Sequence, residues 1–184
     1  RNFGGISTME KNIFTISIIC ISVIKYFLYF CSAMMYIGIF LIILFKDRVM
    51  SMLELGDMRT VMNKSAAFPF IIWVCLDAIF ILICIIISVT SFQKILKNFR
   101  DKEYFSKDNS KYAKEILISI IILILCKFLA QVSFNYLHIT DVSMIYDLSV
   151  KDYLFNIFFG IIAFISIILF KNGKKLKDDS ESII

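Results

Sequence analysis

The chain is poor in the residues that catalysis and metal binding draw on. Its 184 residues include one histidine, His138, one proline, Pro69, and five cysteines. Cys20, Cys31, Cys75, Cys84 and Cys126 all lie in apolar stretches, with no CxxC pair and no Cys/His cluster. That pattern argues against a disulfide framework and against a metal site. Buried free thiols acting as small apolar residues account for these cysteines. His138 falls in a short polar loop where it can pair with Asp141, and surface packing is its plainer role. Ser/His/Asp and Cys/His catalysis need a histidine with partners in a cavity, and nothing in the sequence supplies one. A glycine-rich phosphate loop, an HExxH motif and a paired-carboxylate motif are also missing. The chain therefore reads as non-enzymatic, with no cofactor. The charged start Glu10–Lys11 precedes an apolar stretch that runs to Phe45 with no small-residue cleavage site, so a cleavable signal peptide is not expected. The first eight residues, RNFGGIST, lack span character and read as a cloning remnant ahead of Met9.

What the chain does have is hydrocarbon. Hydrophobic residues make up 59% and mean hydropathy is +0.82, against about 45–50% apolar residues in an ordinary soluble domain. Its length fits one domain, residues 9–184. Heavy use of Ile, Lys and Asn suits an AT-rich bacterial genome. Four spans can be placed. Residues 12–45 carry one charge, Lys25. As a single helix they would be about 50 Å long, beyond a hydrocarbon core of about 30 Å. Division at Lys25 makes 26–45 the first span and leaves 13–24 in the interface or continuing the helix out of the bilayer. The others are 68–89, with Pro69 suited to its first turn, 116–134 and 154–170. Continuous apolar runs rather than period-two alternation favour helices over barrel strands.

Orientation follows from Lys and Arg. Loop 90–115 holds Lys94, Lys97, Arg100, Lys102, Lys107, Lys111 and Lys114, and the tail holds Lys171, Lys174, Lys175 and Lys177. Loop 135–153 holds only Lys151. The positive-inside rule puts 90–115 and both termini in the cytoplasm of a cell membrane. Loop 46–67, with Lys46, Arg48, Arg59 and Lys64, is then forced outside against its own charge.

Two opposite charges, Asp77 and Lys127, interrupt the second and third spans. Each lies about 12 residues from the cytoplasmic end of its span, so antiparallel neighbours place both about 18 Å from that end. An unpaired charge there costs about 2.5–3.5 kcal/mol on insertion scales. Three readings are open: a latch that sets helix register, a proton or ion relay or substrate contact, and Lys127 snorkelling alone. Gln131 and Asn135 follow Lys127 at i+4 and i+8 and give the third span a polar stripe. That stripe is expected to face other helices or a wet cavity.

Between spans two and three, Phe92, Ile95, Leu96 and Phe99 recur at helical spacing, with Lys94, Lys97 and Asn98 opposite. An amphipathic continuation of span two along the inner surface is expected, then a break at 101–103. Ser106 is placed to cap the next helix. Such a basic hairpin suits anionic lipid, and its aromatic and basic mixture also suits a protein interface. Phe99, Arg100, Tyr104, Phe105, Asn109 and Tyr112 are the candidate partner-binding residues. Direct nucleic-acid binding is not expected, because Asp101, Glu103, Asp108 and Glu115 interleave with the bases.

The stretch ILKNFRDKEYFSKDNSKYAKEI, with Phe105, Ser106 and Asn109, resembles the central signature of the YoaS-like bacterial membrane proteins, a domain-of-unknown-function family. The tail FKNGKKLKDDSESII is similar to that family's ending at Phe170, Gly173, Leu176, Asp178, Asp179 and Ile183. One departure is Ser110-Lys111-Tyr112, where the family commonly continues with a Leu-Arg type sequence. The resemblance implies four spans and no assigned enzymatic activity. Members often accompany small helix-turn-helix regulators, which implies a membrane-anchored regulatory role.

The sequence thus reads as an all-α integral membrane protein, a four-helix bundle with a cytoplasmic amphipathic hairpin between helices two and three. Its expected function is regulatory: anchoring or modulating a cytoplasmic protein such as a helix-turn-helix regulator, with the lipid bilayer as its other partner. The alternative is a small transport or immunity-type factor that uses the Asp77/Lys127 polar core.

Overall fold

The computed structural model describes residues 3–54, 64–136 and 150–182. They form five helices: α1 (Phe3–Leu44), α2 (Lys46–Glu54), α3 (Lys64–Arg100), α4 (Lys107–Tyr136) and α5 (Val150–Glu181). Four of these, α1, α3, α4 and α5, are long and apolar enough to cross a membrane. Long runs of Ile, Leu and Phe adopt helices there because a helix satisfies every backbone N–H and C=O within one segment.

The helices overrun the expected spans. α1 is one helix of 42 residues, about 63 Å long, with no break at Lys25, so 13–24 continues the first span's helix. α3 begins at Lys64, which puts Pro69 inside the helix rather than in its first turn. Its ring removes one i→i−4 hydrogen bond there. α5 runs past Phe170 through the lysine-rich tail, since Lys, Asp and Glu cost a helix little once it leaves hydrocarbon. α2, at the start of loop 46–67, has no counterpart among the expected elements; Lys46 at its N-terminus lies 4.8 Å from the centre of the Phe68 ring on α3. His138 and Asp141 lie outside the described residues, as do most of loop 135–153 and residues 55–63 of loop 46–67.

Packing differs from a closed bundle. Among the described residues α1 packs on α3, α3 on α4, and α4 on α5, so the main contacts form a row with α1 and α5 at its ends. The α3–α4 seam is the best filled. Ala130 and Phe134 are buried against Phe70, Trp73, Val74 and Ile81, with Phe70 and Phe134 edge to face at 5.7 Å. At α4–α5, Gly160 and the buried Ala163 let α5 approach Leu117 and Ile120, small residues serving close helix contact in membranes. Phe27, Phe30 and Phe40 of α1 and Phe155, Phe158 and Phe164 of α5 stay exposed. That is the surface a lipid-facing helix presents, because lipid tails are as apolar as these side chains.

The row gathers three distant parts of the chain at one end. Phe14 near the start of α1 meets Phe99 at 6.2 Å, and Phe99 meets Phe170 of α5 at 5.9 Å. The α1 N-terminal turns, the α3–α4 turn and the α5 C-terminal turns therefore form a common end.

Candidate functional site

This common end is built around the α3–α4 turn. α3 stops in a Schellman arrangement: Glu103 N–H donates to the Asn98 carbonyl at 2.8 Å and Lys102 N–H to the Phe99 carbonyl at 3.0 Å. Lys102 occupies the left-handed position, φ 64°, where glycine is usual. Ser106 opens α4 as expected, its Oγ accepting from the Asp108 N–H at 3.3 Å. Asn109 then closes the turn from inside. It is fully buried at 0% exposure. Its Nδ2 donates to the carbonyls of Glu103 and Tyr104, each at 2.9 Å. Its Oδ1 accepts from Asn98 Nδ2 at 2.7 Å. Asn109 therefore holds the turn's shape and presents no side-chain surface to a partner.

Aromatic contacts fasten the turn to its neighbours. Phe99 touches Phe14, Phe170 and Tyr104, the last at 5.5 Å, and so acts as a hub. Phe105, 46% exposed, lays its ring on Gly173, where a β-carbon would overlap the ring. The two stretches that carry the family resemblance thus meet: Phe105 from the turn, Phe170 and Gly173 from the tail. Arg100 grips Asp101 through Nε–Oδ1 at 3.0 Å and Nη2–Oδ2 at 3.3 Å. That hydrogen bonding holds the Asp101 carboxyl below the usual carboxylate range, and the charge of Lys11 on α1 adds to it. Tyr112 lies under Lys94, 4.9 Å from ring centre to Nζ.

One or two turns further in, polar side chains tie α3 to both flanking helices. Lys25 Nζ donates to Gln93 Oε1 at 3.0 Å, Gln93 Nε2 donates to Ser22 Oγ at 2.6 Å, and Ser22 Oγ donates to the Ile18 carbonyl at 2.8 Å. On the other side Ser91 Oγ donates to Glu115 Oε2 at 2.6 Å. Burial of Gln93 and exposure of Phe92 revise the expected amphipathic face at that point. The cost of burying an amide is offset by its two hydrogen bonds. Lys25, read in the sequence as a boundary, is a cross-helix link. Its position in an apolar run was the available signal. Gln93 and Ser91 offered none that could be told from solvent-facing polar residues.

The intramembrane charges sit deeper. Asp77 is 8% exposed, and its carboxylate lies near Cys126 of α4. Lys127 is the next residue along α4 and is half-buried. Asp77 lies seven residues beyond Phe70 and Lys127 seven residues before Phe134, so the Phe70–Phe134 contact puts both at one depth of an antiparallel pair. Neither residue is without a partner. Gln131 accepts from Tyr153 Oη of α5 at 3.1 Å, so this part of the polar stripe faces another helix. Asn135 is exposed. Among the described residues no three His, Cys, Asp or Glu side chains are grouped to hold a metal ion.

Four long apolar helices joined by polar cross-links define a multi-pass membrane protein. The family model for proteins of unknown function DUF2975 matches residues 23–184, and the chain belongs to that family. No curated protein and no solved structure matches it.

Proposed function

We propose that the protein is a non-enzymatic membrane anchor that presents its common end to a soluble protein in the cytoplasm. The observation that carries this reading is the assembly of the turn and the α5 tail into one surface through Phe99, Phe105 and Gly173. Around it stand Lys97, Lys102, Lys107, Lys111, Lys171, Lys175 and Lys177, all exposed. So basic an end belongs on the cytoplasmic side by the positive-inside rule, with both termini beside it. Exposed Tyr104 and Phe105 supply aromatic anchors, and Arg100 and Tyr112 flank them. A small helix-turn-helix regulator is the partner class that the sequence resemblance favours.

The test has two stages. Single cysteines introduced at Ser106 and Ser143, in a background lacking the native cysteines, are probed with an impermeant thiol reagent in intact cells. Protection at 106 with labelling at 143 supports the orientation, and the reverse pattern rejects it. Crosslinked native membranes are then used to capture partners with wild type and with the double variant Lys107→Glu/Lys111→Glu. A soluble protein enriched by wild type and lost from the variant supports anchoring; equal recovery rejects it. The buried Asp77 beside Cys126 favours a second reading, a small transport or immunity-type factor. Loss of a cellular phenotype in Asp77→Asn with partner capture intact would support that one.

A further inference from the structure

α1 carries a polar group at a depth where lipid offers it no partner. Tyr36 stands eleven residues after Lys25 and ten before Lys46, with no charge between them. At about 1.5 Å per residue it lies about 15–16 Å from each, in the middle of a hydrocarbon core about 30 Å thick. It is 54% exposed, and its hydroxyl makes no hydrogen bond among the described residues. Tyr26, beside Lys25, sits where a phenol oxygen reaches the headgroups. Tyr36 is too deep for that, and a hydroxyl left bare in hydrocarbon is costly. Tyr36 also belongs to a seam. Tyr29, Ala33, Tyr36 and Phe40 follow one another at heptad spacing on one face of α1, and all four are exposed. The next face, Phe30, Met34, Ile37 and Leu41, has the same spacing and exposure but no hydroxyl, so lipid covers it at no polar cost.

We propose that the protein forms a parallel homodimer in the membrane through this α1 seam, with the Tyr36 hydroxyls of the two copies hydrogen-bonded to each other. Three observations select a second copy as the occupant. α1 stands at one end of the row of helices, so its outer side is open to a neighbour. The phenol O–H is both donor and acceptor, and two copies inserted the same way hold Tyr36 at the same depth, where a two-fold axis brings a residue onto its own counterpart. The other open end of the row cannot supply the partner: the exposed residues of the α5 span, Phe155, Phe158, Ile161, Phe164 and Ile165 among them, carry no polar side-chain atom. A head-to-tail contact of α1 on α5 would therefore leave the hydroxyl bare. Ala33, between the two tyrosines, lets the helices approach closely. Phe40 exchanges lipid for the second copy, at little cost because both are apolar. The inference rests on α1 and requires neither the orientation nor the soluble partner proposed above.

The test has two arms, both on the full chain. In a background lacking the native cysteines, Ala33→Cys and Met34→Cys are oxidised in native membranes. Ala33→Cys should give disulfide-linked dimers of the chain, and Met34→Cys, on the neighbouring face, should give few. Förster transfer between donor- and acceptor-labelled copies in phosphatidylcholine vesicles, diluted with lipid, then measures the monomer–dimer equilibrium. Tyr36→Phe keeps the ring and loses the hydroxyl. It should weaken dimerisation about threefold to twentyfold, the fold-change of an intramembrane hydrogen bond of about 0.6–1.7 kcal/mol. Met34→Leu should leave the equilibrium unchanged. A wild type that stays monomeric, equal crosslinking at 33 and 34, crosslinking at 33 only to some other protein, or a Tyr36→Phe equilibrium equal to that of wild type overturns the proposal. Trp73 emission, reporting the α3–α4 seam away from α1, checks that each variant is folded.

Discussion

Asn109→Asp offers the sharpest test of how the turn is held. The two side chains are nearly isosteric, and the favourable role open to the new carboxylate can be stated in advance: at the third position of α4 it gains about 0.3–1 kcal/mol from the helix dipole. If Asn109 served only the start of α4, the substitution would be neutral or stabilising. The structure says otherwise. Asn109 Nδ2 donates to two carbonyls, those of Glu103 and Tyr104, and a carboxylate has no donor to offer them. Two hydrogen bonds at about 1 kcal/mol each are lost, and buried oxygens are brought against each other. Subtracting the dipole gain leaves a destabilisation of at least about 1–2 kcal/mol at neutral pH, to which the burial of the carboxylate against two carbonyl oxygens adds. Asn109→Ala, which loses the Asn98 bond as well, should cost about 2–3 kcal/mol. Equilibrium unfolding in mixed micelles, followed by Trp73 fluorescence, measures both. An aspartate variant as stable as wild type would refute the argument that carbonyl capture is the residue's role.

Further outcomes follow from the same geometry. Lys102→Gly relieves a side chain at φ 64° and should stabilise by about 0.5–1 kcal/mol in the same assay, the left-handed penalty outweighing the added unfolded-state entropy. Gly160→Ala should be tolerated, since its new β-carbon meets Ile120 at an ordinary 3.7 Å, whereas Gly173→Ala should displace the Phe105 ring; a proteolysis or cysteine-accessibility probe at the turn should detect the second change and not the first. Asp77→Asn and Lys127→Met should each destabilise, by roughly 3–5 kcal/mol if the pair is dry, and the double variant should recover part of the loss. A double variant no better than the worse single one in detergent thermal unfolding would remove the pairing from the account.

Much of this protein is decided locally, and local properties are what a sequence displays. Hydropathy along each segment determines that there are four spans and where their apolar centres lie, because backbone groups in hydrocarbon must be satisfied within the helix. The stop after Arg100 and the cap at Ser106 were also legible, since both depend on residues within a few positions of the turn. The helix lengths were not, because a helix need not end where the membrane does: α1 passes through Lys25 and α5 through its lysine tail. The lateral order was hidden as well. A polar residue in an apolar run announces that it needs a partner without naming the helix that supplies it. Lys25 finds Gln93 across 68 positions, and Glu115 finds Ser91. Phe105 keeps the exposure its sequence position suggests, but only tertiary structure lays one side of its ring on Gly173, where the absence of a side chain permits the approach. Span number and turn chemistry were therefore written in consecutive residues. The open row of helices and its cross-links exist only because packing brings distant faces together.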